Sequence, residues 1–216
     1  MHSQGHARRP SNPTSVPATD DEIREKYLER AIRELNTFAR ELQACPHCPR
    51  GALLPVLGSG HPQSDIFLLK YAARPSEVEE GVAFYGRAGN ALMKSFKRLS
   101  IDPLAVYGTL CVKCPVGDPA LADPECVSRL VQELAIVSPR IVVVMGPEAL
   151  TVLNELDLPL RDDLTDQTGE LQRLTPSIEA LYVPDIDDSL DEDPAKREFW
   201  SAFRVLGQWW ADLPPY

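Results

Sequence analysis

SPRIVVVMGPEAL, residues Ser138–Leu150, sets an unbroken apolar run, rich in β-branched residues, directly before a Gly-Pro pair. A short apolar run closed by such a signal reads as a strand buried on both faces. Pro147 stands where its fixed φ suits the first position of a helix. A strand feeding straight into a helix is half of a βαβ unit, so the neighbours on either side were read for the same alternation. On the N-terminal side, Asp65–Tyr71 (DIFLLKY) and Val106–Val112 read as strands, with helices expected over Asn90–Leu99 and Pro124–Val137. On the C-terminal side, Ala180–Pro184 reads as a last strand before a closing helix over Pro194–Trp210. This order predicts an α/β fold built on a central, mostly parallel four-stranded sheet with helices on both faces.

Further towards the N-terminus, Ile23, Tyr27, Ala31, Leu35, Phe38 and Leu42 recur every three or four residues and predict one long amphipathic helix. Asp20 is its expected N-cap and Gln43 its approximate end. Residues 1–19, rich in Pro, Ser, Thr and His with no apolar period, read as a disordered arm. Residues 20–216 then form a single domain. No stretch approaches the roughly 18 consecutive apolar residues of a membrane span, and the N-terminus has no apolar secretory core. A cytoplasmic monomer without membrane contact is expected. The net charge of -10 argues against tight nucleic-acid binding, which draws most of its affinity from phosphate neutralisation. Arg87, Lys94, Lys97 and Arg98 form a local basic patch, which reads as a solvated helix face.

Four of the five cysteines carry the chemistry. Cys45 and Cys48 form a C-x2-C pair; 65 residues later Cys114 and Cys126 form C-x11-C. In a reducing compartment such clusters are metal ligands more often than disulfides. Cys114 follows the Val106–Val112 strand and Cys126 falls in the first turn of the next helix. A fold bringing that strand's end to the N-terminal loop would complete a four-sulfur site for zinc or an iron–sulfur cluster, both of which accept four thiolates. Cys111, inside the apolar strand, reads as a core thiol.

Taken with their neighbours, these cysteines resemble the family 4 uracil-DNA glycosylases. Phe84-Tyr85-Gly86-Arg87-Ala88-Gly89 resembles that family's P-F-x-G-R-A-G segment, with Ala83 in place of Pro. Val106-Tyr107 through Lys113-Cys114-Pro115 resembles its V-Y-x-T-N-x-x-K-C-x-P segment. SPRIVVVMGPEAL is similar to its P-K-x-I-V-x-L-G-x-x-A-L strand and helix, and Leu181-Tyr182-Val183-Pro184 falls on its Y-H-P segment. The resemblance runs over residues 41–210 and implies a three-layer αβα sandwich. It also implies a 4Fe–4S cluster on Cys45, Cys48, Cys114 and Cys126, with zinc as the alternative, and a ligand pocket at the carboxyl ends of the central strands.

That pocket departs from the family pattern. The G-E-A-P-G loop reads Lys70-Tyr71-Ala72-Ala73-Arg74, so a tyrosine replaces the carboxylate and long basic chains replace both glycines. Leu110 stands for the uracil-reading Asn and Val183 for the His. Only Phe84, the base-stacking ring, is kept. Releasing a flipped base needs polar groups on its edge and donors where negative charge develops, and a site that loses those hydrogen bonds loses most of its discrimination. Glu77, Glu79 and Glu80 read as surface charges. The loop Asp185–Asp193 carries six carboxylates in nine residues, which would repel phosphates. The expectation is therefore a degenerate iron–sulfur uracil-DNA glycosylase-like protein, with a weak role towards DNA or a nucleobase. An active repair glycosylase with altered base preference, or a module binding a small molecule or protein, are the alternatives.

Overall fold

The computed structural model describes residues 19–214, so all but the last residue of the expected arm lie outside the described residues. Thr19 itself is the N-cap of helix α1 (Asp20–Ala44), in place of the expected Asp20. Its hydroxyl accepts from the Glu22 amide at 3.3 Å while the Glu22 carboxylate accepts from the Thr19 amide at 2.9 Å. This reciprocal pair satisfies two orphan donors at the helix start.

The strands are β1 (Ser59–Gly60), β2 (Ile66–Ala72), β3 (Val106–Val112), β4 (Ile141–Met145), β5 (Leu171–Thr175) and β6 (Ile178–Val183). They form one sheet in the order β1-β3-β2-β4-β6-β5. The inner four are mutually parallel, as expected. The four-stranded expectation is corrected to six, because β1 and β5 add antiparallel edges. Both were hard to read: β1 is two residues long, and β5 is polar and half exposed.

Helices α2 (Pro75–Glu80), α3 (Arg87–Leu99), α6 (Ile186–Ser189) and α7 (Asp193–Ala211) complete one side of the chain's helical complement; α4 (Pro124–Val137) and α5 (Pro147–Glu155) join α1 in the other. Side chains alternate across a strand, and the core divides accordingly. Leu68, Leu110, Met145 and Val183 pack with Phe96 of α3 and Phe199 and Phe203 of α7. Phe67, Leu69, Cys111 and Val144 pack with Leu130 and Leu134 of α4 and Leu153 of α5. The result is a three-layer αβα sandwich. Among the described residues, no helix is long and apolar enough to cross a membrane.

Candidate functional site

Sheet register places the pocket positions. Lys70 pairs with Leu110 on one side and with Met145 on the other, and Met145 pairs with Val183. In a parallel sheet such partners share a face, so Lys70, Leu110 and Val183 lie in one row at the carboxyl ends of the strands, on the side of α3 and α7. Leu110 and Val183 are fully buried there. Tyr71, next along β2, falls on the opposite face and packs, half buried, with the cluster around Cys111. Burial is the main cause that raises its phenol pKa.

Lys70 does not reach solvent. Its side chain is 1% exposed, and its ammonium lies 2.7 Å from Glu77 Oε2 and 2.7 Å from Asp187 Oδ2. Arg74 adds a second cation, with Nε 3.2 Å from the same Asp187 oxygen. Glu77 is equally buried, which corrects its reading as a surface charge. Its carboxylate also accepts from the backbone amides of Arg74, at 2.7 Å, and of Phe84. No local pattern announces this. Glu77 is held inside by the Lys70 ammonium at the end of β2 and by the Arg74 and Phe84 amides around α2, an arrangement that residue spacing alone does not reveal. Glu79 and Glu80 are exposed, as expected.

Phe84 is buried and has a φ of 60°, a left-handed conformation that costs a non-glycine residue about 1–2 kcal/mol. Its surroundings hold it there. Glu77 binds its amide, and two glycines leave room for it: a Cβ on Gly89 would lie 2.0 Å from the Phe84 carbonyl oxygen, and one on Gly108 2.6 Å from its ring. The Lys70 ammonium sits over that ring, 5.4 Å from its centroid. Two openings flank this group: a polar cleft of about 280 Å³, lined by Arg74, Glu77, Arg87, Asp187 and Asp191 among others, and a more apolar one of about 520 Å³, lined by Phe84 itself with Leu68, Gly89 and Gly108 among others. Ala72 and Ala73 continue the chain from β2 into α2, both half buried.

The cysteines form a second site. The sulfurs of Cys48, Cys114 and Cys126 lie within 4.8 Å of one another, all three buried. They come from the loop after α1, the end of β3 and the first turn of α4. Cys45 is also buried but lies outside this trio, at the C-cap of α1. Cys111 is a fully buried core thiol, as expected, with its pKa pushed up to about 12 chiefly by burial. Within the trio, the Cys114 hydrogen bond holds the Cys126 pKa down to about 5, and the same bond keeps the proton on Cys114. The Asp123 amide donates to Cys48 Sγ at 3.4 Å. Buried sulfurs with one ready thiolate and an amide aimed at another are the donor set a thiolate-held metal needs, so the residues present could hold one.

Behind the trio lies a closed polar network. Lys113 Nζ is 2.7 Å from Glu133 Oε2, both fully buried. Tyr107 and Thr109 donate to the same carboxylate at 2.7 and 2.9 Å. This ties β3 to α4 just below the cysteines they carry.

The sequence model of the Uracil DNA glycosylase superfamily matches residues 57–203. The chain belongs to this superfamily. It is also 27% identical over 144 residues to the Type-4 uracil-DNA glycosylase of Pyrobaculum aerophilum, a match covering 64% of this chain and 72% of that protein. For a uracil DNA glycosylase superfamily member, the carboxyl ends of the central parallel strands are a natural ligand position, since open α/β sheets bind there. In this member that position holds Leu110, Val183 and the Lys70 ion group.

Proposed function

We propose that this chain is an iron–sulfur uracil-DNA glycosylase-like protein that has lost ordinary uracil excision and keeps a weak role towards nucleic acid or a nucleobase, in the cytoplasm. The observation that carries the reading is the Lys70 ammonium held between Glu77 and Asp187 over the Phe84 ring. A base stacked on the Lys70 side of Phe84 would have to displace that ammonium, leaving the buried Glu77 without its cation. Leu110 offers the base edge neither donor nor acceptor, and Val183 offers no donor to the departing base. Each substitution alone weakens catalysis; together they leave that row with Lys70, already paired with two carboxylates, beside two apolar side chains.

The cofactor reading adds Cys45 to the trio. It is buried and three residues from Cys48. Four thiolates would hold a 4Fe–4S cluster, whose part here is to tie the α1 loop, β3 and α4 together; zinc is the alternative.

The test is anaerobic purification followed by iron and sulfide analysis, a visible spectrum, and release assays on single- and double-stranded DNA containing uracil or damaged bases. A brown protein that releases no base, yet retains weak binding of a short oligonucleotide, is expected. Uracil release would overturn the degenerate reading, and release of another base would make it an active glycosylase of altered preference. A colourless zinc protein would overturn the cluster.

A further inference from the structure

A groove of about 1080 Å³ runs between α3 and α7 and shares Arg87 and Leu190 with the cleft beside the Lys70 group. Its floor is apolar, with Ile186 and Phe199 buried and Leu190 and Trp200 half buried. Its rims are cationic: Lys94, Lys97 and Arg98 stand on α3, and Lys196 and Arg197 face them from α7. Sequence alone shows the first three as a solvated helix face; the fold adds the second rim and the floor. Elsewhere among the described residues at least nine Lys and Arg side chains have a carboxylate within 4.0 Å, as Arg87 has Asp191 at 2.6 Å. Among the described residues, none of these five has a carboxylate within ion-pair distance.

We propose that this groove docks an acidic, amphipathic peptide segment of a protein partner. Two rows of unpaired cations flanking an apolar floor complement a segment with carboxylates on its flanks and apolar side chains beneath. Two features favour a peptide over a nucleic-acid strand. One face of Trp200 is taken by the Arg98 guanidinium, 5.5 Å from the ring centroid, so no base can stack on that side without displacing it. The floor is aliphatic as well as aromatic, and a phosphodiester backbone gains nothing from burying it. The inference does not depend on whether the glycosylase pocket is active.

The test selects a displayed library of peptides of about 12 residues, which as helices span about 18 Å, on the wild-type chain. Binding of selected peptides, and of oligo-dT of similar length, is then measured by fluorescence anisotropy. The comparison protein carries Lys94→Glu, Lys97→Glu and Lys196→Glu, three exposed positions, and a matching melting curve checks that it is folded. Enrichment of peptides combining Asp or Glu with Leu or Phe is expected, with binding weakened about tenfold or more by the charge reversals and by added salt. Weakening by Trp200→Ala is expected too. Enrichment of peptides without acidic residues, or equal binding to the reversed variant, would overturn the proposal. So would oligo-dT binding tighter than any selected peptide and lost in the same variant, which would make the groove a nucleic-acid track.

Discussion

Removing the ammonium of Lys70 leaves the buried Glu77 carboxylate with no cation, while Asp187 keeps Arg74, whose Nε lies 3.2 Å away. Breaking a buried ion pair from one side costs about 3–5 kcal/mol, because the stranded charge cannot return to water. Lys70→Met is therefore expected to lower Tm by about 10 °C, at roughly 2–4 °C per kcal/mol for a chain of this size. A fall of only a degree or two in a thermal melt would show that water reaches the group. Asp185 makes a pH-dependent case nearby. Burial raises its carboxyl pKa, ahead of the Asp187 amide that pulls it down. With the folded pKa above the unfolded one, the folded state holds the proton more tightly, and stability is lost as pH rises through the carboxylate range. Asp185→Asn keeps an acceptor for the Asp187 amide, now 2.7 Å away. Its advantage over wild type in urea unfolding should grow as pH rises above about 4, the ordinary carboxylate value; a constant difference would remove Asp185 as the cause. Leu110 and Val183 were legible as apolar replacements because each falls at a fixed place in a motif that the family resemblance aligns. Glu77 was not, because its spacing does not show that the Lys70 ammonium and the Arg74 and Phe84 amides converge on its carboxylate.

At the scale of elements, β3 carries both the pocket row and a cysteine, and its tightest point is Gly108 against Phe84. A methyl there would stand 2.6 Å from the ring, whose backbone is already held by Glu77 and by the close approach of Gly89. Gly108→Ala is expected to cost about 1–3 kcal/mol by overpacking. Gly117→Ala, with nothing within 4 Å, should stay within about 0.5 kcal/mol. Equal melting curves for the two variants would mean that Phe84 is free to move. The parallel strands and α4 were legible because their apolar runs and caps agree with their packing. The edge strands were not: β1 exists only through its pairing with β3, and β5 carries too little apolar pattern to mark a strand.

At the scale of the molecule, three separate segments converge on the cysteine trio, and beside it the loop after α1 meets the start of α4 through His47 Nδ1 and Glu125 Oε2, 2.7 Å apart. The spacing of the cysteines in sequence suggested a shared site, but only the parallel pairing that carries β3 beside β2 brings the end of that strand to the loop. If the site holds a metal, its binding energy is folding energy for that corner, since the unfolded chain has no preformed site. Cys114→Ala should then abolish bound iron, lower Tm by about 10 °C or more, and raise amide exchange in the loop after Cys45 and the first turns of α4. The fully buried strand β4 should keep its protection. Cys45→Ala separates the two ligand counts. Loss of iron matching that of Cys114→Ala would make Cys45 the fourth ligand, although it lies outside the trio in the structure. Unchanged iron would confine the site to Cys48, Cys114 and Cys126, and an unaltered spectrum and melt in Cys114→Ala itself would end the metal reading altogether.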